Sequence, residues 1–260
     1  MITGKTIVLT GCNNGIGLEV LKLLHKNNKV LCVDKNIDRL GAFEDENTYI
    51  MQKDVSSKEA VDEIFEVALE KMGSIDIFYA NAGYPYYEEF NYVDWDRVAR
   101  MFDTNVYSPI YSYQKYVEYL NGKKGIFAIT VSAIGTMAMP GFTIYSASKF
   151  AMHGFQEGIR MELPENVQLT CLYPVATNTG FFKAANEIEF KKPFPVQQPD
   201  VVARKMIKGI EKGKKNVSPC VLFDISKVLM KFLPPVKTVY LALEKRKFSE
   251  FKETVRKLGK

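Results

Sequence analysis

Between a strand-forming run at 6–10 with an Ile7-Val8-Leu9 core and a helix-forming stretch, the chain places Thr10-Gly11-Cys12-Asn13-Asn14-Gly15-Ile16-Gly17. Glycine tolerates the positive φ of a tight turn and lets other groups approach the backbone. Free N–H groups and the dipole at the start of the following helix favour a bound pyrophosphate. Glycines also mark ordinary turns, so the loop gains its weight from the segment after it. A second apolar strand over 30–34 ends on Asp34. A carboxylate there accepts hydrogen bonds from adenosine ribose hydroxyls and repels a 2′-phosphate. Strand, glycine loop, helix, strand and acid, in that order, point to a dinucleotide-binding βαβ unit that prefers NAD to NADP. Lys35, next to the acid, works against that preference.

The rest of the chain continues the alternation. Strands are expected over 49–53, 75–80, 125–131 and 168–173, and helices over 17–26, 58–72, 95–120 and 145–162. In the helix over 58–72, Val61, Ile64, Phe65, Ala68 and Leu69 fall at helical spacing. Apolar strands alternating with helices imply parallel pairing, with helices on both sheet faces. The expected fold is an α/β, doubly wound, Rossmann-type sheet: one domain over 1–220, with a helical C-terminal extension over 221–260.

Tyr145 and Lys149, four apart, share one helix face. A nearby ammonium favours the phenolate and moves a tyrosine toward acid–base work near neutral pH. Lys149 can also hold ribose hydroxyls. Ser132 stands at a strand end thirteen residues before Tyr145, where it can orient a substrate oxygen. Tyr-x-x-x-Lys alone is common. Its coincidence with that serine and an upstream dinucleotide loop is not.

Together these motifs resemble the short-chain dehydrogenase/reductase family over roughly residues 5–180. Its TGxxxGxG loop matches Thr10–Gly17, which implies cofactor contacts at Gly11, Asn13, Asn14, Gly15, Ile16 and Gly17. Its Asp-hydrophobic pair is Asp54-Val55, its NAG motif Asn81-Ala82-Gly83, its helix asparagine Asn105, its serine Ser132 and its YxxxK Tyr145–Lys149. The resemblance implies a catalytic set of Asn105, Ser132, Tyr145 and Lys149, with Asn105 holding a water that links Lys149 to solvent. Tyr145 would protonate the substrate oxygen in reduction and take the proton back in oxidation. The family follows its sixth strand with Pro-Gly and a threonine that contacts the nicotinamide carboxamide. Here the run is Pro174-Val175-Ala176-Thr177-Asn178-Thr179, which implies cofactor contacts at Pro174, Thr177 and Thr179 but puts valine where glycine is usual. The implied activity is hydride transfer between NAD and an alcohol or ketone. The alternatives are an NADP-dependent 3-oxoacyl-type ketone reductase and a non-catalytic dinucleotide-binding regulator.

Ile134, Phe142, Phe181 and Phe182 are expected to form an apolar substrate wall with Ser132 and Tyr145, joined by Tyr84, Met137 and Met139. Residues 180–199 match the position of the family's substrate lid. A fatty acyl derivative, a steroid-like ring and a small aromatic ketone all suit such a wall. His153 reads as a packing or surface residue, Cys12 as a small filler and Glu88-Glu89 as a solvated loop. The tyrosines at 107, 111, 113, 116 and 119 read as packing, not as a nucleic-acid stacking face.

Hydrophobic residues at 47% and charged residues at 25% suit an ordinary globule. Four scattered cysteines and two histidines argue against a disulfide framework or a metal site and for a reducing, cytoplasmic setting. No signal-peptide pattern and no apolar run of spanning length stands out. Charge is uneven. Residues 221–260 hold ten Lys/Arg against four Asp/Glu, while the remainder carries a net charge of −1. Leu222, Ile225, Leu229 and Phe232 oppose a polar stripe in a helix over 221–233, Pro234-Pro235 stops it, and a second begins near 236. Such faces dock on the body, meet another subunit or lie on lipid. The family resemblance implies a homodimer or homotetramer, with the tail near a subunit interface as the first expectation and peripheral membrane contact as the second.

Overall fold

The computed structural model describes residues 2–259. The first half runs β1 (Thr6–Thr10), α1 (Gly15–Leu24), β2 (Lys29–Asp34), β3 (Thr48–Gln52), α2 (Lys58–Met72) and β4 (Ile77–Ala80). Then come α3 (Trp95–Phe102), α4 (Ser108–Leu120), β5 (Gly125–Thr130), α5 (Thr143–Glu162) and β6 (Val167–Leu172). The chain closes with β7 (Ala176–Thr177), α6 (Phe181–Ala185), β8 (Val196–Gln197), α7 (Pro199–Glu211), β9 (Asn216–Val217), α8 (Val221–Phe232) and α9 (Pro234–Lys257).

Seven parallel strands form one sheet in the order β3-β2-β1-β4-β5-β6-β9. Successive side chains alternate between its faces. Val8 points to the face covered by α2, α4 and α5, where Phe78 stacks on Phe65 at 5.1 Å and on Phe127 at 5.5 Å. Ile7 and Leu9 point to the face covered by α1 and α7, against Val20, Leu21, Val202 and Met206. Each such buried side chain contributes about 1.5–3 kcal/mol. Strand order reverses between β1 and β4, so the loops after these strands part and leave a crevice at the strands' C-terminal ends. This is the doubly wound sheet that the alternation of strands and helices predicts.

Several boundaries move for identifiable reasons. The Asn14 side chain accepts a hydrogen bond from Gly15 N at 2.7 Å, so α1 starts at Gly15 rather than Gly17. The helix expected over 95–120 is not continuous: Asp103–Tyr107 form a turn of π-helix between α3 and α4. Pro109 has no N–H for the carbonyl of Asn105, four residues back, and its ring would crowd it. Ser108 N bonds Asp103 O instead, one residue further away. Pro234-Pro235 does end α8, but it also begins α9, because the first helical turn needs no N–H donors. The two-residue edge strand β9 lies beyond the sequence pattern, being too short to show a period.

Candidate active site

The glycine loop owes its shape to contacts that exclude side chains. Gly11 has φ +68°, and a Cβ there would come within 2.7 Å of Ala82 Cα. On Gly17 it would come within 2.0 Å of Gly11 O. Asn81 ties the loop to its neighbours: Nδ2 donates to Gly11 O at 2.9 Å, and Oδ1 accepts from Thr130 Oγ1 at 2.9 Å. Asp34, at the end of β2, accepts from Asn13 N at 2.9 Å and from Asn36 N at 3.1 Å. A carboxylate offers about four acceptor positions, so capacity remains for a ligand's hydroxyls. Asp54 accepts from Ser56 N at 3.0 Å in the turn before α2.

Ser132, Tyr145, Lys149 and Asn105 gather at the far end of the same crevice. Ser132 follows β5 with φ 104° and ψ 146°, a region that side chains disfavour. Hydrogen bonds on either side hold it there: Ser132 N to Leu172 O at 3.2 Å and Ala133 N to Pro174 O at 2.9 Å. Tyr145 and Lys149 project from α5, with Lys149 Nζ 5.8 Å from the Tyr145 ring centre. Burial pushes the Tyr145 phenol well above its ordinary value, opposed in part by the Ser132 hydroxyl. Burial also lowers Lys149 to about 8, and its ammonium donates to Thr130 O at 3.1 Å. Asn105 sits in the π-turn, which swings its amide inward. It accepts from Tyr84 N at 3.1 Å and donates to Tyr84 O at 3.0 Å and Ser148 Oγ at 3.2 Å, clamping the segment after β4.

A cleft of about 380 Å³ joins the two ends. Gly11, Asn13, Asn14, Gly15, Ile16, Asp34, Asp54, Val55, Asn81, Ala82 and Gly83 line one part of it. Ser132, Ile134, Phe142, Tyr145, Pro174, Thr177, Thr179, Phe181 and Phe182 line the other. Three expected site residues do not line it: Gly17, Asn105 and Lys149. The last two stand behind Gly83, where a Cβ would lie 3.0 Å from Asn105 Oδ1 and 3.5 Å from Lys149 Nζ. Among the described non-glycine residues only Asn121 and Ser132 have positive φ. Val175 therefore replaces the usual glycine without backbone strain, and packs near Phe223.

Sequence reasoning missed part of the wall. Phe223 of α8, Tyr240 of α9 and Lys53 line the cleft, together with Lys35 and with Phe194 of the 180–199 segment, both of which the sequence singles out. The clue was available: large aromatic residues recur on the amphipathic faces of the tail. Tyr240 Oη donates to Phe194 O at 2.8 Å, Lys191 pairs with Glu250 at 2.9 Å, and Phe251 is buried beside Tyr87 and Phe190. These contacts fasten the 180–199 segment to α9. Nor is Glu88-Glu89 simply solvated. Glu88 holds Arg97 at 2.6 Å while the Arg97 guanidinium stacks on Tyr86 at 3.7 Å, and Glu89 holds Lys252 at 2.8 Å. His153 packs with its Nδ1 2.9 Å from Tyr173 Oη. Cys12 is buried, and burial raises its thiol well above the ordinary value, as suits a filler.

The family model for short chain dehydrogenases matches residues 5–189. The chain belongs to the short chain dehydrogenase family. An uncharacterized oxidoreductase of Bacillus subtilis, YxnA, is 28% identical over 229 residues, which cover 82% of this chain and 64% of that protein. An uncharacterized oxidoreductase of Staphylococcus aureus is 29% identical over 202 residues, covering 75% of this chain and 87% of the relative. Among solved structures, a short chain dehydrogenase/reductase from Burkholderia phymatum in complex with NAD superposes with a TM-score of 0.76 at 18% identity, covering 89% of this chain and 96% of that one. An alcohol dehydrogenase from Thermococcus sibiricus complexed with 5-hydroxy-NADP gives 0.72 at 22% identity, covering 82% and 95%. These two structures share the fold. They also show that it accommodates either cofactor class.

Proposed function

We propose that this chain moves hydride between NAD(H) and an apolar alcohol or ketone, with Tyr145 giving or taking the proton. One observation carries the reading: a single cleft joins the glycine loop and Asp34 to Ser132 and Tyr145. The residues suit a dinucleotide, because the close approaches at Gly11 and Gly17 form a cradle that any Cβ would fill. When bound, the nicotinamide supplies or accepts the hydride. Asp34 would hold the adenosine ribose hydroxyls, and Thr177 and Thr179 would hold the nicotinamide carboxamide. In reduction, Tyr145 Oη donates its proton to the carbonyl oxygen, which Ser132 Oγ orients by a second hydrogen bond. The Lys149 ammonium then stabilises the phenolate, and oxidation reverses these transfers. Burial raises the Tyr145 phenol, against the downward shift expected from a nearby ammonium, so the group enters reduction protonated. Because Asn105 clamps Tyr84 and Ser148, it acts by positioning this wall.

Lys35 and Lys53 line the adenosine end, which favours a second reading, an NADP-dependent 3-oxoacyl-type reductase. A panel of alcohols and ketones with both cofactors, read by reduced-nicotinamide absorbance, tests both, and absence of turnover throughout would favour the non-catalytic regulator. Asp34→Ala should weaken NAD and lift the repulsion of NADP, shifting the ratio of their dissociation constants toward NADP by roughly tenfold or more, as loss of a charged hydrogen bond implies. An unchanged ratio would place cofactor choice in other residues.

A further inference from the structure

The α8–α9 hairpin presents an apolar face that no described residue of this chain covers. On α8, Leu222, Ile225, Leu229 and Phe232 recur at helical spacing and point outward, with Phe232 74% exposed and Ile225 53%. Every residue from Lys231 to Val239 is exposed, so the tip, with Leu233 and Val236, stands clear of the body. The opposite side is anchored: Phe223 is buried, and farther along α9 Phe251 is buried. Charge on the exposed part has one sign. Lys227 and Lys231 form the polar stripe of α8 opposite the apolar face, with Lys227 Nζ 5.9 Å from the Phe223 ring centre, Lys237 stands at the exposed tip, and no carboxylate occurs between Asp224 and Glu244. An isologous contact with a second copy would bring two surfaces of the same positive charge together. An anionic surface complements that charge. Among the described residues, no helix is long and apolar enough to cross a membrane. α8, at twelve residues, is about 18 Å long.

We propose that the α8–α9 hairpin seats this protein on an anionic lipid surface, tip first, with its lysines at the headgroups. The surface adjoins the cleft, because Phe223 on the anchored side of α8 and Tyr240 of α9 line it. The substrate class that such seating implies is a membrane-dissolved alcohol or ketone that enters from the lipid. This second part rests on the hydride-transfer reading above.

The full chain should sediment with phosphatidylcholine vesicles containing phosphatidylglycerol, less with phosphatidylcholine alone, and less as salt rises. Replacing Lys227, Lys231 and Lys237 by Gln together should lower partitioning about a hundredfold, each lysine contributing roughly fivefold. Ile225→Ser with Phe232→Ser should abolish binding while leaving the melting temperature unchanged, since both side chains are exposed. In a Trp95→Phe background, Phe232→Trp should be quenched by brominated lipid. Failure of the parent to bind either vesicle overturns the proposal. If the Ile225→Ser/Phe232→Ser pair instead converts a dimer to a monomer, the face is a subunit contact. Binding uses neither cofactor nor substrate, so it survives if the hydride-transfer reading fails. Where turnover exists, the same pair should slow a vesicle-borne long-chain ketone and spare a water-soluble short one. Equal rates on both would remove lipid entry and leave the docking surface.

Discussion

Ser132 shows how one residue can carry a cost for the sake of a site. Its positive φ costs about 1–3 kcal/mol in a residue with a side chain. Ser132→Gly should therefore raise thermal stability by roughly 1 kcal/mol while cutting turnover, a trade that denaturant unfolding and a rate assay read separately. Equal or lower stability would mean that the hydroxyl's own contacts outweigh the strain. Lys149 makes a different prediction. Burial lowers its folded value to about 8 from an unfolded value of 10.5, so between those limits the unfolded chain binds more protons. The lysine's contribution to stability then rises with pH from about 8 to 10.5. Buried Cys12 and Cys171 hold their protons more tightly when folded, which works the other way above pH 9. The stability of the parent minus that of Lys149→Met, followed from pH 7 to 10, isolates the lysine, and that difference should climb. A flat difference would show that Lys149 is better solvated than its burial implies.

At the scale of elements, the contact between the glycine loop and α1 decides whether the cradle closes. Alanine in an unhindered helical position stabilises by about 1 kcal/mol relative to glycine. Gly17 is not unhindered, since its Cβ would meet Gly11 O. Gly17→Ala should destabilise by about 1–3 kcal/mol and weaken NAD binding, measured by thermal melting and titration. A stabilised variant with normal affinity would refute the contact. Elements of this kind were legible in the sequence because they repeat: apolar strands, the glycine loop and the apolar spacing of α2 all show a period. The break at Asp103–Tyr107 was signalled by Pro109, but helical pattern on both sides masked it. The docking of the 180–199 segment on α9 was not legible. It depends on pairs such as Lys191–Glu250 and Tyr240–Phe194, far apart in sequence and with no local signature.

At the scale of the whole molecule, a seven-stranded parallel sheet opens a crevice where its strand order reverses, and the C-terminal helices wall one end. The sequence located most of the cleft residues, because those at the ends of β1, β2, β4 and β5 occur in short motifs. It did not assign the tail's position, because an amphipathic helix has the same pattern against protein, a partner or lipid. Within that architecture the proposed chemistry depends on Tyr145 as the proton-transferring group. The most direct measurement compares Tyr145→Phe with the parent in NADH oxidation by a verified ketone, alongside NADH affinity by titration. Turnover should fall by about a hundredfold or more, the scale of general acid catalysis, with NADH affinity nearly unchanged. Turnover at the parental rate, with the cofactor bound equally well, would contradict that role for Tyr145.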